Sequence, residues 1–258
     1  TDYNRAFMSF RQPGSAIKPL IVYTPALERG YTAGSTVKDV KEEDGPANSS
    51  GNYAGSISLR TAVEQSKNTV AYSLFRELTP QVGLSYLLNM DFSAIKESDY
   101  TLASALGGLT TGASSLEMTA AYATLANDGV YRVPTCVTMI TDMDGNIIIM
   151  PDQKARTVYE TAAARQMTDI LGGVLTRGTA RGREIPDMPC AGKTGTTNDN
   201  IDGWFVGYSA YYTTGIWVGF DSPRSTSALS GSTYPVEIWQ DFMTKLHEGL
   251  PSKELPDP

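Results

Sequence analysis

Histidine is almost missing from this chain: His247 is the only one in 258 residues. A Ser-His-Asp triad or a Cys-His dyad would have to be built on it, and no pair of histidines exists to hold a metal. His247 sits near the C-terminus in an amphipathic stretch, where a structural or surface role is the plainer reading. Any base for nucleophilic chemistry should therefore be a lysine. Cysteine is scarce as well. Cys136 and Cys190 form no CxxC and no Cys/His cluster, so a structural zinc site is not supported. The two could pair if the protein is exported, or stand as small buried apolar residues. No apolar run approaches the roughly 20 residues that cross a bilayer, and the N-terminus has no signal-peptide layout. The chain as it stands reads as soluble.

Clustered positive charge is also lacking. The formal net charge is −7, and Arg177, Arg181 and Arg183 are the only local basic group. That balance argues against a nucleic-acid partner, whose contacts depend on grouped Lys and Arg. What remains is an ordinary globular composition, 41% hydrophobic and 19% charged with 24 Gly and 14 Pro. It suits one large domain or two small ones.

Residues 1–10 show no capping or strand pattern, which leads us to expect a piece of a larger protein. Pro13-Gly14 ends that stretch, and apolar residues at Ile17, Leu20, Ile21 and Leu27 predict a helix over 15–29. Ser15 and Lys18 then fall in its first turn. Residues three apart share a helix face, so the amine can hang beside the hydroxyl. A base beside a serine makes it a nucleophile, and a helix N-terminus favours a developing anion. The alternative is a capping serine and a solvated lysine. Residues 30–58 are rich in Gly, Ser, Asn and Asp with little periodicity and read as a long surface excursion.

Ser58 caps a predicted helix that runs to Gln65. Ser66-Lys67-Asn68 separates it from a second apolar helical face at Val70, Ala71, Leu74, Phe75 and Leu78. That polar triplet is either a helix–helix turn or a loop that presents a hydroxyl and an amide. Residues 80–89 form another short helix. Leu106-Gly107-Gly108-Leu109-Thr110-Thr111-Gly112 is Gly-rich, but it lacks the dinucleotide-binding spacing and no strand precedes it. Ser114-Ser115-Leu116-Glu117 is a capping box, and Asn127-Asp128-Gly129 a stop. Asp144-Gly145 between apolar runs at 137–140 and 147–149 signals a hairpin. Residues 161–176 are helical, with Gly178 beyond the end.

The last third turns to aromatic and β-branched residues. We expect three adjacent antiparallel strands there, beginning at Pro189-Cys190-Ala191-Gly192-Lys193-Thr194-Gly195-Thr196-Thr197. A helix over 236–250 closes the chain. Gly192-Lys193-Thr194 is not a phosphate-binding P-loop, because Asp187 occupies the required upstream glycine position and a strand follows.

Three motifs thus stand in order: Ser15-Ala16-Ile17-Lys18, Ser66-Lys67-Asn68 and Lys193-Thr194-Gly195. The set resembles the penicillin-recognising serine acyltransferases. The longer stretches Arg11-Gln12-Pro13-Gly14-Ser15 and Lys193-Thr194-Gly195-Thr196-Thr197-Asn198-Asp199, with Asp202-Gly203-Trp204-Phe205-Val206-Gly207-Tyr208, resemble the transpeptidase of bifunctional, class A penicillin-binding proteins. Pro134 and Arg177-Gly178-Thr179 fit that type, and the likeness runs from about residue 4 to 248.

The resemblance implies an α+β fold, with an antiparallel central sheet flanked by helices and an all-helical subdomain. It implies a transpeptidase domain over 1–250, short of its upstream strands, and a tail over 251–258. Ser15 would be acylated by a D-Ala-D-Ala stem peptide, Lys18 would take its proton, and Ser66 would pass a proton to the departing amine. Asn68 would hold Lys18 and the substrate amide. Lys193, Thr194, Gly195, Thr196 and Thr197 would bind the substrate end, and backbone N–H groups of Ser15 and Thr196 would form the oxyanion hole. No cofactor or metal is implied. The implied partners are peptidoglycan stem peptides and β-lactams. The implied location is the outer face of a bacterial plasma membrane, with an anchor and a glycosyltransferase domain elsewhere in the full-length protein. A serine β-lactamase, a D,D-carboxypeptidase and a non-catalytic β-lactam sensor share the scaffold. No Glu-x-x-x-Asn-like element lies between the second and third motifs to hold a deacylating water, which favours the transpeptidase.

Overall fold

Helices carry the first half of the chain and strands the last third. The computed structural model describes residues 2–151 and 154–258. The elements run α1 (Arg5–Met8), a 3-10 turn (Gly14–Ile17), a π-helical turn (Pro19–Tyr23), α2 (Thr24–Glu28), β1 (Thr36–Asp39), β2 (Gly55–Ser58), α3 (Leu59–Glu64) and α4 (Asn68–Leu78). They continue with α5 (Pro80–Leu88), α6 (Ser115–Ala126), β3 (Val130–Arg132), β4 (Ile140–Thr141), β5 (Ile147–Ile149), β6 (Ala155–Thr157) and α7 (Thr161–Thr176). The last are β7 (Cys190–Thr196), β8 (Gly203–Ser209), β9 (Thr213–Val218) and α8 (Tyr234–Leu246). Helices flank antiparallel sheets, as expected.

The central sheet has the order β7-β8-β9, antiparallel throughout, with Lys193 opposite Val206 and Val206 opposite Gly215. Every residue of β8 is buried. Alternation explains this, because successive side chains point to opposite faces. Phe205 meets the Trp239 ring of α8 edge-on at 4.9 Å, and Gly207 lies against that same ring. From the other face the Tyr208 hydroxyl bonds Thr168 of α7 at 2.8 Å, while Thr119 of α6 lies against Gly215. The sheet is therefore covered on both sides, and Trp204 and Trp239 are wholly removed from solvent.

Several local readings of the sequence hold. The Ser58 hydroxyl accepts the Thr61 amide at 3.1 Å, and Ser114 with Glu117 forms a reciprocal capping box. β4 and β5 pair around Asp142-Met143-Asp144-Gly145-Asn146, and α7 spans the expected residues.

Four readings need correction. Residues 15–29 are not one α-helix but a 3-10, π and α succession. Pro25 is part of the reason. In the π ladder its missing N–H would serve the Leu20 carbonyl, which instead accepts the Tyr159 hydroxyl at 2.7 Å. Residues 30–58 are not merely a surface excursion. They contain β1 and β2, and they bury Asp39 and Asn48. The opening stretch does hold a capped turn, with Asn4 accepting the Ala6 amide at 2.9 Å. The last helix starts and ends earlier than 236–250, because Pro235 suits a first turn and Gly249 adopts a left-handed φ of +80°. Both cysteines are free, Cys136 exposed and Cys190 buried. His247 is buried, its Nε2 2.7 Å from the Ser209 hydroxyl, which is the structural role expected of it.

Candidate active site

The serine turn is shaped by its neighbours before any chemistry is considered. Pro13 has helical dihedrals, and Gly14 follows at φ +52°. A Cβ on Gly14 would lie 2.6 Å from the Thr196 carbonyl oxygen, so only glycine permits this approach to β7. The 3-10 turn then brings Ser15 and Lys18 into line, since residues three apart eclipse in that geometry. The segment leading into it is pinned from three sides. Arg11 forms an ion pair with buried Asp202 at 2.8 Å, the Trp204 indole donates to the Gln12 carbonyl at 2.9 Å, and the Tyr122 hydroxyl donates to the Ala16 carbonyl at 2.6 Å. Asp202 also accepts the Trp217 indole at 2.9 Å. The extended motif after β7 therefore fixes the backbone that carries the serine.

Lys18 is fully buried. Its amine donates to the Asn68 side-chain oxygen at 2.7 Å and to the Ser66 carbonyl at 2.9 Å, and lies 3.4 Å from the Ser66 hydroxyl. Lys193, also fully buried, donates to the same hydroxyl at 2.8 Å and to the Thr194 carbonyl at 3.2 Å. Ser66 stands at φ +56° in the turn between α3 and α4. The polar triplet is thus both a helix–helix turn and a loop that presents its hydroxyl and amide. Ser15 lines the cleft, yet its hydroxyl makes no hydrogen bond among the described residues. Lys18 is engaged with the second motif instead.

Burial pushes the Lys18 amine well below the usual lysine range, and the neighbouring Lys193 pushes it further down. Burial alone lowers Lys193 to about 7. Two amines whose charged forms burial disfavours therefore share one hydroxyl.

The cleft beside them has a volume of about 660 Å³ and is lined by Ser15, Ser66 and Asn68, by residues 47–50, and by Thr194, Thr196 and residues 197–200. Thr194 and Thr196 both line the cleft. The Thr194 hydroxyl is 2.7 Å from that of Thr179, and the Thr196 hydroxyl accepts the Gly231 amide at 3.0 Å. Gly195 packs under the serine turn rather than facing the cleft. The Thr197 hydroxyl accepts the Asp202 amide at 2.9 Å, so it closes the turn that ends β7. Thr179, the third residue of the Arg177-Gly178-Thr179 motif, also lines the cleft and is not among the expected site residues.

A family model, the penicillin-binding protein transpeptidase domain, matches residues 1–220. The chain belongs to the penicillin-binding protein transpeptidase family. It is 37% identical over 243 residues to penicillin-binding protein 4 of Bacillus subtilis, covering 93% of this chain and 39% of that protein. It is 33% identical over 275 residues to penicillin-binding protein 1A of Clostridium acetobutylicum, covering all of this chain and 34% of that one. The chain therefore spans little more than a third of such relatives. Among solved structures, penicillin-binding protein 1A of Haemophilus influenzae superposes with a TM-score of 0.87 at 25% identity, over 100% of this chain and 45% of its own. PonA1 of Mycobacterium tuberculosis, in complex with penicillin V, superposes with a TM-score of 0.86 at 25% identity, over 99% of this chain and 74% of its own. No helix among the described residues of this penicillin-binding transpeptidase chain is long and apolar enough to cross a membrane.

Proposed function

We propose that this chain is the D,D-transpeptidase domain of a bifunctional cell-wall enzyme, acylated on Ser15 by D-Ala-D-Ala stem peptides and blocked there by β-lactams. The observation that carries the reading is the convergence of two buried amines on the Ser66 hydroxyl, one of them also held by Asn68, beneath a cleft that Ser15 lines. In the first half-reaction the Ser15 oxygen bonds to the penultimate D-Ala carbonyl carbon and its proton passes to Lys18, whose charged form burial disfavours before the reaction. The C–N bond to the terminal D-Ala then breaks, and the proton reaches the departing amine by way of Ser66. In the second half-reaction an amine from another stem peptide bonds to the acyl carbon, the C–O bond to Ser15 breaks, and the proton lost by that amine returns to the Ser15 oxygen. Lys193 with the Thr194 and Thr196 hydroxyls would hold the terminal carboxylate, and the Ser15 and Thr196 amides would hold the oxyanion; one such donor typically contributes about 3 kcal/mol.

The domain would occupy residues 1–250 with 251–258 as a tail. In the full-length protein we place it outside the plasma membrane, beside an anchor and a glycosyltransferase domain. The β-lactamase alternative is disfavoured by Glu117, whose two oxygens are taken by Ser114 and Ser93 and which does not line the cleft.

Intact-mass spectrometry after benzylpenicillin tests the reading. A stable adduct on Ser15 is expected, lost in Ser15→Ala. Rapid hydrolysis of the drug would instead indicate a β-lactamase, and no adduct would reject acyl transfer. Cross-linking of stem peptides then separates an enzyme from a sensor.

The charge on Lys193 predicts a pH dependence. Its amine is protonated below about 7 and neutral above it, so its attraction for the drug carboxylate is present below that pH and lost above. The pre-acylation dissociation constant should be level below pH 7 and rise by up to about tenfold per unit above it. Stopped-flow titration at pH 6 to 9 checks this, and a constant value throughout would remove Lys193 from carboxylate binding.

A further inference from the structure

Asp39 ends β1, far in sequence from any of the three motifs, and is fully buried. A buried carboxylate is costly unless its oxygens are satisfied. Here four donors reach it. Lys67 Nζ lies 2.9 Å from one oxygen, and the Ala54 amide donates to the same oxygen at 2.9 Å. The other oxygen accepts Asn48 Nδ2 at 2.5 Å and Thr69 Oγ1 at 2.7 Å. Burial alone would raise this carboxyl, but the bonds from Thr69, Asn48, Lys67 and Ala54 more than offset it and hold it at about 2.

The contacts do not end at Asp39. Asn48 is buried too, and its side-chain oxygen accepts the backbone amide of Asn68 at 2.8 Å. The Asn68 side-chain amide donates to the Ala47 carbonyl at 2.8 Å. With that nitrogen committed, the Asn68 oxygen is the atom left to face Lys18, which it does at 2.7 Å. Lys67 sits between Ser66 and Asn68, so its bond to Asp39 restrains the same turn from inside. Ser66 needs such restraint, because φ +56° is unfavourable for a residue with a Cβ.

We propose that Asp39 is a positioning residue for acyl transfer, anchoring Lys67 and Asn48 so that the turn between α3 and α4 aims the Ser66 hydroxyl and the Asn68 oxygen at the two buried amines. This rests on the acyl-transfer reading above. Asp39 itself does not line the cleft and bonds neither Lys18 nor Lys193. Its effect should therefore fall mainly on the chemical step, with a smaller loss of drug binding through the Asn68 side chain. A displacement of about 1 Å in such a site can lower a rate about a hundredfold.

The experiment measures benzylpenicillin acylation of the purified chain by stopped-flow, separating the acylation rate constant from the dissociation constant, with thermal melting of each variant alongside. In Asp39→Asn the rate constant should fall about 10- to 100-fold, while the dissociation constant stays within about threefold. Asn48→Ala cuts the bridge to Asn68 yet leaves the Asp39–Lys67 pair intact, and it should show the same split. A protein that merely lost stability would keep its rate constant in the folded fraction. An unchanged rate constant in folded Asp39→Asn, or in Asn48→Ala should the first variant not fold, overturns the positioning role alone. A wild-type chain that forms no adduct overturns the acyl-transfer reading, and this role with it.

Discussion

Replacing Lys18 by Met should lower Ser15 acylation by benzylpenicillin about 10⁴-fold or more, with only a small change in Tm. The rate argument is that a positioned base contributes roughly 10² to 10⁴, and removing one member of a cooperating set often costs more. The stability argument is separate. Lys18 is fully buried and its amine is pushed well below the usual lysine range, chiefly by burial. Methionine fills a similar volume and needs no solvation. The loss leaves the Asn68 oxygen and the Ser66 carbonyl without their donor, a cost of about 1–3 kcal/mol each if nothing replaces it. Relief of the amine's own burial offsets much of this.

The outcome discriminates between the two lysines. Lys193 is closer to the Ser66 hydroxyl than Lys18 is, 2.8 Å against 3.4 Å, so both amines have access to the hydroxyl that relays the proton. If Lys193 served, Lys18→Met would acylate within about tenfold of wild type, a small loss beside the range for removing a general base, and the assignment would fail. Lys18→Arg provides the second arm. A guanidinium keeps its proton and cannot accept another, so Arg should be as inactive as Met although it restores a cation. Stopped-flow acylation with intact-mass detection reads both variants.

The three motifs were legible because each is a short string whose chemistry is local. Their convergence was supported by order and resemblance, and the tertiary contacts that produce it were not readable in advance. Ser15 and Lys18 could be placed on one face by spacing alone. That Lys18 would turn to Ser66 and Asn68 depends on α4 packing beside the π turn, a contact with no sequence signature. The strands of the last third announced themselves by aromatic and β-branched runs, and α6 by its capping box. The stretch from 30 to 58 was opaque for a physical reason. β1 and β2 are four residues each, too short for alternation to stand out, and the connection between them folds back to place Asn48 against the second motif. A buried aspartate in a polar loop looks like any solvated aspartate until its partners are known. Thr197 has a second role that the motif did not announce. It lies in an unbroken motif with Thr194 and Thr196 and lines the cleft with them, and its hydroxyl also accepts the Asp202 amide that closes the turn after β7.

Gly195→Ala should both destabilise the fold and lower acylation, by about 1–3 kcal/mol and about a hundredfold respectively. Gly195 lies in β7 where the strand crosses the serine turn. A Cβ there would stand 2.3 Å from the Pro13 carbonyl oxygen, and 3.0 Å from both the Ala16 and Trp204 Cβ atoms. None of these neighbours is the free end of a flexible side chain. The strand and the turn would have to separate, and the turn carries Ser15 while the strand carries Lys193. Separation of even about 1 Å misaligns nucleophile and carboxylate site together, so the acylation rate constant and the dissociation constant should both worsen. Asp39→Asn, by contrast, should leave the dissociation constant nearly unmoved. Gly172→Ala is the control. Gly172 lies within α7, and an added Cβ meets nothing closer than the Cys190 carbonyl at 3.6 Å. That change should raise stability by about 0.5–1 kcal/mol through helix propensity and leave acylation untouched. Thermal melting and stopped-flow acylation of the two variants side by side decide the matter. Wild-type kinetics in Gly195→Ala would mean that the close packing of β7 on the serine turn is not what aligns the site.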